Sequence, residues 1–232
     1  MTDLVGKNIL VIGAQSVLAQ ELIALLIQNG AALTGTVRSL PAIDLGAGDV
    51  PSGLELTQLD LNDERAVGEF IESFVRSGQP LHGVIIAAGQ VAFGPATDLP
   101  RAVADSLMRV NATSPIALAT GLAPAIQTSG GGFIVTLSGK IAELPTAGMA
   151  AYSASKAALF AYSTAAGREL RRSNIRWMDA RPGHTETGLS SRPLFGEAPA
   201  LGAGLSPNFV AHRIFQGILN DERDLPSSAF ES

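Results

Sequence analysis

The chain has 232 residues, of which 46% are hydrophobic and only 16% charged, and it carries a formal charge of −5. That size and apolarity suit one large domain with a sizeable core and exclude a disordered chain, while the acidic balance leaves no basic stripe for nucleic acid or an anionic membrane. The lack of cysteine excludes disulfides, thiolate metal sites and a cysteine nucleophile, and His82, His184 and His212 are too scattered to form a metal site. No apolar run reaches the roughly 18 residues of a membrane span and no secretory leader pattern is present, so a soluble cytoplasmic protein is expected.

Residues 7–12 (K-N-I-L-V-I) read as a short buried strand stopped by Gly13. An apolar helix is expected over 17–28, closed by Asn29-Gly30, and a second strand over 31–37. Strand, glycine turn, helix and strand make a βαβ unit with a right-handed crossover. Free amides at the helix start can bind phosphate, and Gly13 lets the backbone come close to it. A plain strand-to-helix turn has the same look. Arg38 follows at once; its forked donors match a phosphate, although a surface loop would hold an Arg equally well. Residues 39–54 read as a loop or short helix, and 54–61 as a third strand running through Asp60-Leu61. Over 63–77, Val67, Phe70, Ile71 and Phe74 recur at helical spacing and are assigned to the core. The continuous apolar stretch 81–87 predicts a strand buried on both faces of a parallel sheet, leading into Ala87-Ala88-Gly89.

A long helix starts near Leu99 and carries Asn111 and Pro115, where the proline frees or kinks local backbone. After a turn at 129–132, a fifth strand (133–137) ends in Ser138, and a loop with Pro145 and Gly148 leads to a helix bearing Tyr152 and Lys156. Residues four apart share one helix face. The ammonium is expected to lower the phenol pKa from about 10, making the pair a general acid/base for a proton moving to or from a carbonyl oxygen. A sixth strand is expected over 175–180. Residues 188–206, rich in Gly, Pro and Ser, are expected to be a flexible substrate-side loop, with Leu189, Leu194, Phe195 and Leu201 pointing to an apolar pocket. A last helix over 207–220, a charged turn at 221–224 and a short tail complete a single domain, 1–232.

Gly13, Asp60, Ala88-Gly89, Asn111, Tyr152-x-x-x-Lys156 and Pro182-Gly183-x-x-x-Thr187 stand in the order and spacing of the short-chain dehydrogenases/reductases, which the chain resembles from about residue 7 to 187. The resemblance implies an α/β fold: a Rossmann-like, doubly wound parallel sheet with helices on both faces. It implies an oxidoreductase that interconverts a carbonyl and an alcohol by hydride transfer. Cofactor binding would fall to Gly13, Gln15, Ser16, Val17, Leu18, Arg38, Asp60, Leu61, Ala88, Gly89, Pro182, Gly183, Thr185 and Thr187, with Tyr152 and Lys156. Val37 replaces the acidic residue that accepts from the ribose of NAD, so beside Arg38 the expected cofactor is NADP rather than NAD. Tyr152 would be the acid/base, Lys156 would lower its pKa and hold the nicotinamide ribose, and Asn111 would hold a relay water.

Three departures stand against this pattern. In the T-G-x-x-x-G-I-G turn, Val17 and Ala19 replace the second and third glycines; Ile86 and Ala87 replace the asparagines of N-N-A-G. Thirteen residues before Tyr152, where the family has its carbonyl-orienting serine, stands Gly139. Ser138 is one residue away, and adjacent strand residues face opposite ways, so it serves as the fourth catalytic candidate only if the strand bulges or the loop shifts. Lys140 and His184 are possible substitutes. The departures motivate an alternative: a catalytically weak or inactive dinucleotide-binding regulatory protein on the same fold. Expected partners are a small carbonyl or alcohol substrate, without nucleic acid or membrane. Small and apolar residues around most of the helix at 157–162, with the resemblance, imply a homodimer or homotetramer.

Overall fold

The computed structural model describes residues 2–39 and 54–231; the segment expected as a loop over 39–54 lies, apart from its two end residues, outside them. Seven strands form one parallel sheet in the order β3-β2-β1-β4-β5-β6-β7. They are β1 (Asn8–Ile12), β2 (Ala32–Val37), β3 (Glu55–Gln58), β4 (Gly83–Ile86), β5 (Gly132–Leu137), β6 (Ile175–Ala180) and β7 (Asp224–Leu225). On one face, Ile9, Val11, Ile85 and Val135 pack against α1 (Val17–Gln28) and α6 (Pro207–Leu219). On the other, Leu10, Ile12, Val84 and Ile134 meet α2 (Glu64–Ser77), α4 (Ser114–Thr128) and α5 (Ala150–Glu169). Both faces are covered, which is why β1 and β4 are apolar without alternation. The strand order reverses between β1 and β4, and such a switch point opens a crevice at the C-terminal strand ends.

The β1–α1 turn is shaped by Gly13 at φ +81°; a Cβ there would come 2.8 Å from the Ala88 Cβ, so a side chain would push the ends of β1 and β4 apart. Ser16 caps α1, its Oγ accepting from the Ala19 amide at 3.2 Å, and no acidic side chain occupies the first turn. The amides of Val17 and Leu18 belong to the first turn, which has no intrahelical acceptors.

The long helix expected from Leu99 is two helices, α3 (Arg101–Met108) and α4, joined by a π-helical turn, Arg109–Thr113. Pro115 supplies the cause, because it has no N–H to return to the Asn111 carbonyl. The end of the expected charged turn and the start of the tail are instead part of the sheet. Asp224 and Leu225 pair with Asp179 and Ala180 of β6, and Phe230 is buried. A two-residue strand is too short to show a period, so its sequence reads as a turn. The 188–206 segment, expected to be flexible, is tied down. The Leu194 amide donates to Val91 O (2.9 Å), Phe93 donates to Phe195 O (2.9 Å), and Leu205 donates to His184 O (2.8 Å). Among the described residues, no helix is long and apolar enough to cross a membrane.

Candidate active site

A cleft of about 680 Å³ opens at the C-terminal ends of the strands. It is bordered by Gly13, Gln15, Ser16, Val17 and Leu18 from the β1–α1 turn, and by Arg38, Asp60, Leu61, Ala88 and Gly89 after β2, β3 and β4. Tyr152 and Lys156 of α5 and Pro182, Gly183, Thr185 and Thr187 after β6 complete that border. Residues scattered over 175 positions of sequence thus meet around one space. The Val17 side chain stands at the cleft, 38% exposed, where a glycine would leave bare backbone.

Asn111 is fully buried behind the cleft. Its Oδ1 accepts from the Gln90 amide at 2.8 Å, while its Nδ2 donates to Gln90 O at 2.9 Å and to Ser155 Oγ at 3.0 Å. The side chain therefore clamps the segment after β4 to α5. A Cβ at Gly89 would lie 3.4 Å from Lys156 Nζ and 3.5 Å from Asn111 Oδ1, so the lysine and the asparagine both face that glycine.

Lys156 is 5% exposed, and its Nζ donates to Leu137 O at 2.7 Å. Burial lowers its pKa to about 8, with the Asp179 charge opposing the fall. Tyr152 keeps part of its surface open, yet burial pushes its phenol up to about 12. The direction is opposite to the lowering expected from the sequence, and its cause is withdrawal from water.

Ser138, expected as the carbonyl-orienting hydroxyl, borders the cleft but is fully buried, and its Oγ donates to Asp179 Oδ1. No bulge turns it toward Tyr152. Gly139 follows at φ +77° and ψ 163°, backbone that is essentially reserved for glycine. A Cβ there would meet nothing closer than Pro182 O at 3.6 Å, so the position has room but not the conformation for a side chain. Gly139→Ala is expected to lower stability by about 1–3 kcal/mol, read from the denaturant midpoint, with backbone strain as the sole cause. Lys140 and His184 border the cleft as well; the Lys140 ammonium lies 3.4 Å from Glu231, and His184 Nε2 lies 3.5 Å from Glu186.

A buried charge cluster behind the lysine went unforeseen in the sequence. Asp179 and Arg181 of the β6 end are both almost fully buried. Asp179 Oδ2 accepts from Thr136 Oγ1 at 2.7 Å, and its Oδ1 lies 3.3 Å from Arg181 Nη1. The same guanidinium bonds Glu143 through Nε, lies 2.8 Å from Asp224, and sits 4.2 Å over the Phe160 ring. A usable signal was present: an Asp two residues after Trp177 in a buried strand puts a carboxylate on the same covered face.

A doubly wound parallel sheet with a Tyr–Lys pair in its switch-point crevice defines a Rossmann-like α/β protein with acid–base groups where a ligand enters. Residues 7–193 match the family model described as short chain dehydrogenase, and the chain belongs to that family of oxidoreductases. Among curated relatives it is 28% identical to a dehydrogenase/reductase SDR family protein 7-like of Drosophila melanogaster, over 96% of this chain and 73% of the relative. It is 26% identical to the vibriobactin-specific 2,3-dihydro-2,3-dihydroxybenzoate dehydrogenase of Vibrio cholerae, over 86% and 79%. A Burkholderia cenocepacia short chain dehydrogenase in complex with NADP superposes with a TM-score of 0.82 at 21% identity, covering 98% of this chain and 91% of the other. The bulky-bulky ketone specific alcohol dehydrogenase of Comamonas testosteroni gives 0.81 at 21% identity, over 97% and 87%.

Proposed function

We propose that the protein interconverts a carbonyl compound and its alcohol with NADP(H). One observation carries this reading: the Gly13 turn and the Tyr152–Lys156 pair border the same cleft. The residues present fit a dinucleotide. The first-turn amides of α1 face no acidic side chain, so a diphosphate would be drawn to them. Glycine at 13 leaves room where a Cβ would strike Ala88, and glycine at 89 keeps the backbone bare beside Lys156. Arg38, exposed at the cleft, would hold the 2′-phosphate. The NADP held by the Burkholderia relative is in keeping with this choice. Arg38→Ala is expected to raise the Kd for NADPH about tenfold while leaving NADH unchanged, measured by nucleotide fluorescence.

NADPH, when bound, supplies a hydride to the carbonyl carbon. Tyr152 gives its proton to the carbonyl oxygen in reduction and takes it back in oxidation. The Lys156 ammonium would stabilise the phenolate left behind and would hold the ribose hydroxyls of the nucleotide. With Ser138 committed to Asp179 and no side chain at 139, Tyr152 holds the carbonyl oxygen without a serine; a missing donor of that kind costs about 2.7–4 kcal/mol at the transition state. The substrate is read as uncharged and apolar. Leu144, Leu194 and Leu201 border the cleft while 58%, 41% and 39% exposed, and Lys140 and His184, which also border it, have acidic neighbours. The test is purified protein with NADPH and a panel of alkyl and aryl ketones; lack of saturable binding by either nucleotide would sink the reading. No observation favours the non-catalytic alternative. A homodimer or homotetramer is also proposed, because Tyr162 on α5 is 39% exposed amid small residues; light scattering measures it.

A further inference from the structure

We propose that Asp179 is a positioning residue whose buried carboxylate is the counter-charge that keeps Lys156 protonated. The geometry begins with β5. Its last carbonyl, Leu137 O, holds Lys156 Nζ at 2.7 Å, and the next residue, Ser138, donates its hydroxyl to Asp179. The ammonium and the carboxylate are therefore tethered to adjacent residues of one strand end. Both are almost wholly withdrawn from water, at 5% and 4% exposure.

Arg181 cannot satisfy Asp179 alone. Its single positive charge is shared among Asp179, Glu143 and Asp224. Negative charge is left over, and Lys156 of α5 is the cation held at the neighbouring residue of the same strand end, close enough for the Asp179 charge to act on it. The groups that touch Asp179 directly are Thr136 and Ser138, both donors, and Arg181. Donors of this kind favour the ionised form, opposing the burial that raises the carboxyl pKa to about 6. At neutral pH the carboxylate is charged, and its field offsets part of the cost of burying the ammonium. Ser138 thereby gains a role different from a hydroxyl on the substrate: it holds the counter-ion of the lysine.

The inference rests on the proposed reaction for its meaning, since Lys156 serves Tyr152 there, but its test needs no turnover. The chain has three lysines, Lys7, Lys140 and Lys156, so lysine labelled with 13C at Cε gives three signals to follow with pH. In the wild type the Lys156 signal should titrate near 8. Asp179→Asn is expected to move that midpoint down by about one pH unit, and Asp179→Glu to restore most of it. Should Asp179→Asn not fold, the wild type alone decides: its Lys156 signal must show a second, smaller inflection near 6, where Asp179 protonates. A purely structural Asp179 would lower the melting temperature of the Asn variant and leave the Lys156 midpoint in place. That outcome, or a single inflection in the wild type, overturns the inference. If the midpoint shifts as expected yet no nucleotide binds, the charge coupling stands and the proposed reaction falls.

Discussion

Tyr152→Phe is expected to cut NADPH-dependent ketone reduction by about 10²–10⁴-fold while leaving NADPH affinity within a factor of about two. The phenol is the acid placed in the cleft beside Lys156, and Phe keeps the ring while removing the proton that must reach the carbonyl oxygen. Loss should appear in kcat rather than KM, because the missing interaction belongs to the transition state. The wild-type rate carries a companion signature. Burial holds the Lys156 pKa near 8. Reduction should therefore decline as pH rises through about 8, when the ammonium loses its proton and can no longer stabilise the phenolate. A Phe variant with full activity would remove Tyr152 from the mechanism.

Arg181→Met is expected to destabilise the fold by about 3–5 kcal/mol at pH 8. The side chain is only 3% exposed and serves three carboxylates, of which Asp179 is equally buried. Met fills much of the volume over Phe160 but leaves Asp179 with two hydroxyl donors and no adjacent guanidinium. The pH dependence has a definite sign. Asp179 titrates at about 6 in the folded protein against 3.8 as the reference, and losing Arg181 raises the folded value further. The folded state then binds the proton more readily than the unfolded state, so lowering pH from 8 to 5 should shrink the deficit. Urea denaturation at both pH values measures it. A deficit that is small or independent of pH would mean that water or Lys156 already neutralises the cluster.

The βαβ start, the Tyr152 helix and the buried strands of a parallel sheet were legible because each rests on a local pattern: a glycine after an apolar run, a spacing of four, continuous apolarity in a two-faced sheet. The boundary of α1 matched to the residue, because Ser16 and Asn29-Gly30 mark both ends chemically. What stayed hidden depends on contacts between distant segments. The role of Asp224 in a seventh strand needs β6 beside it. The hydrogen bond that Ser138 donates to Asp179 likewise depends on β6 lying beside β5. The anchoring of 188–206 rests on backbone bonds to 91–93, which leave no trace in side-chain periodicity. The phenol pKa failed for a related reason, since spacing reveals the neighbouring charge but not the loss of water around it.

The π turn between α3 and α4 fits one more residue into its turn than an α-helix would, and it makes the segment sensitive to the removal of any. Each α-helical residue turns the chain by about 100°. Deleting one position within 109–113 would change the phase between the two helices, and everything on one side would swing by that angle. Either α4 would lose the face that carries Leu118, Leu122 and Ile126 into the core, or α3 would turn Leu107 out of it. Asn111 would leave its clamp on Gln90 in the same stroke. Substitutions at the exposed Arg109 and Thr113 should be tolerated far better than any single-residue deletion, so this segment is constrained more by its length than by its letters.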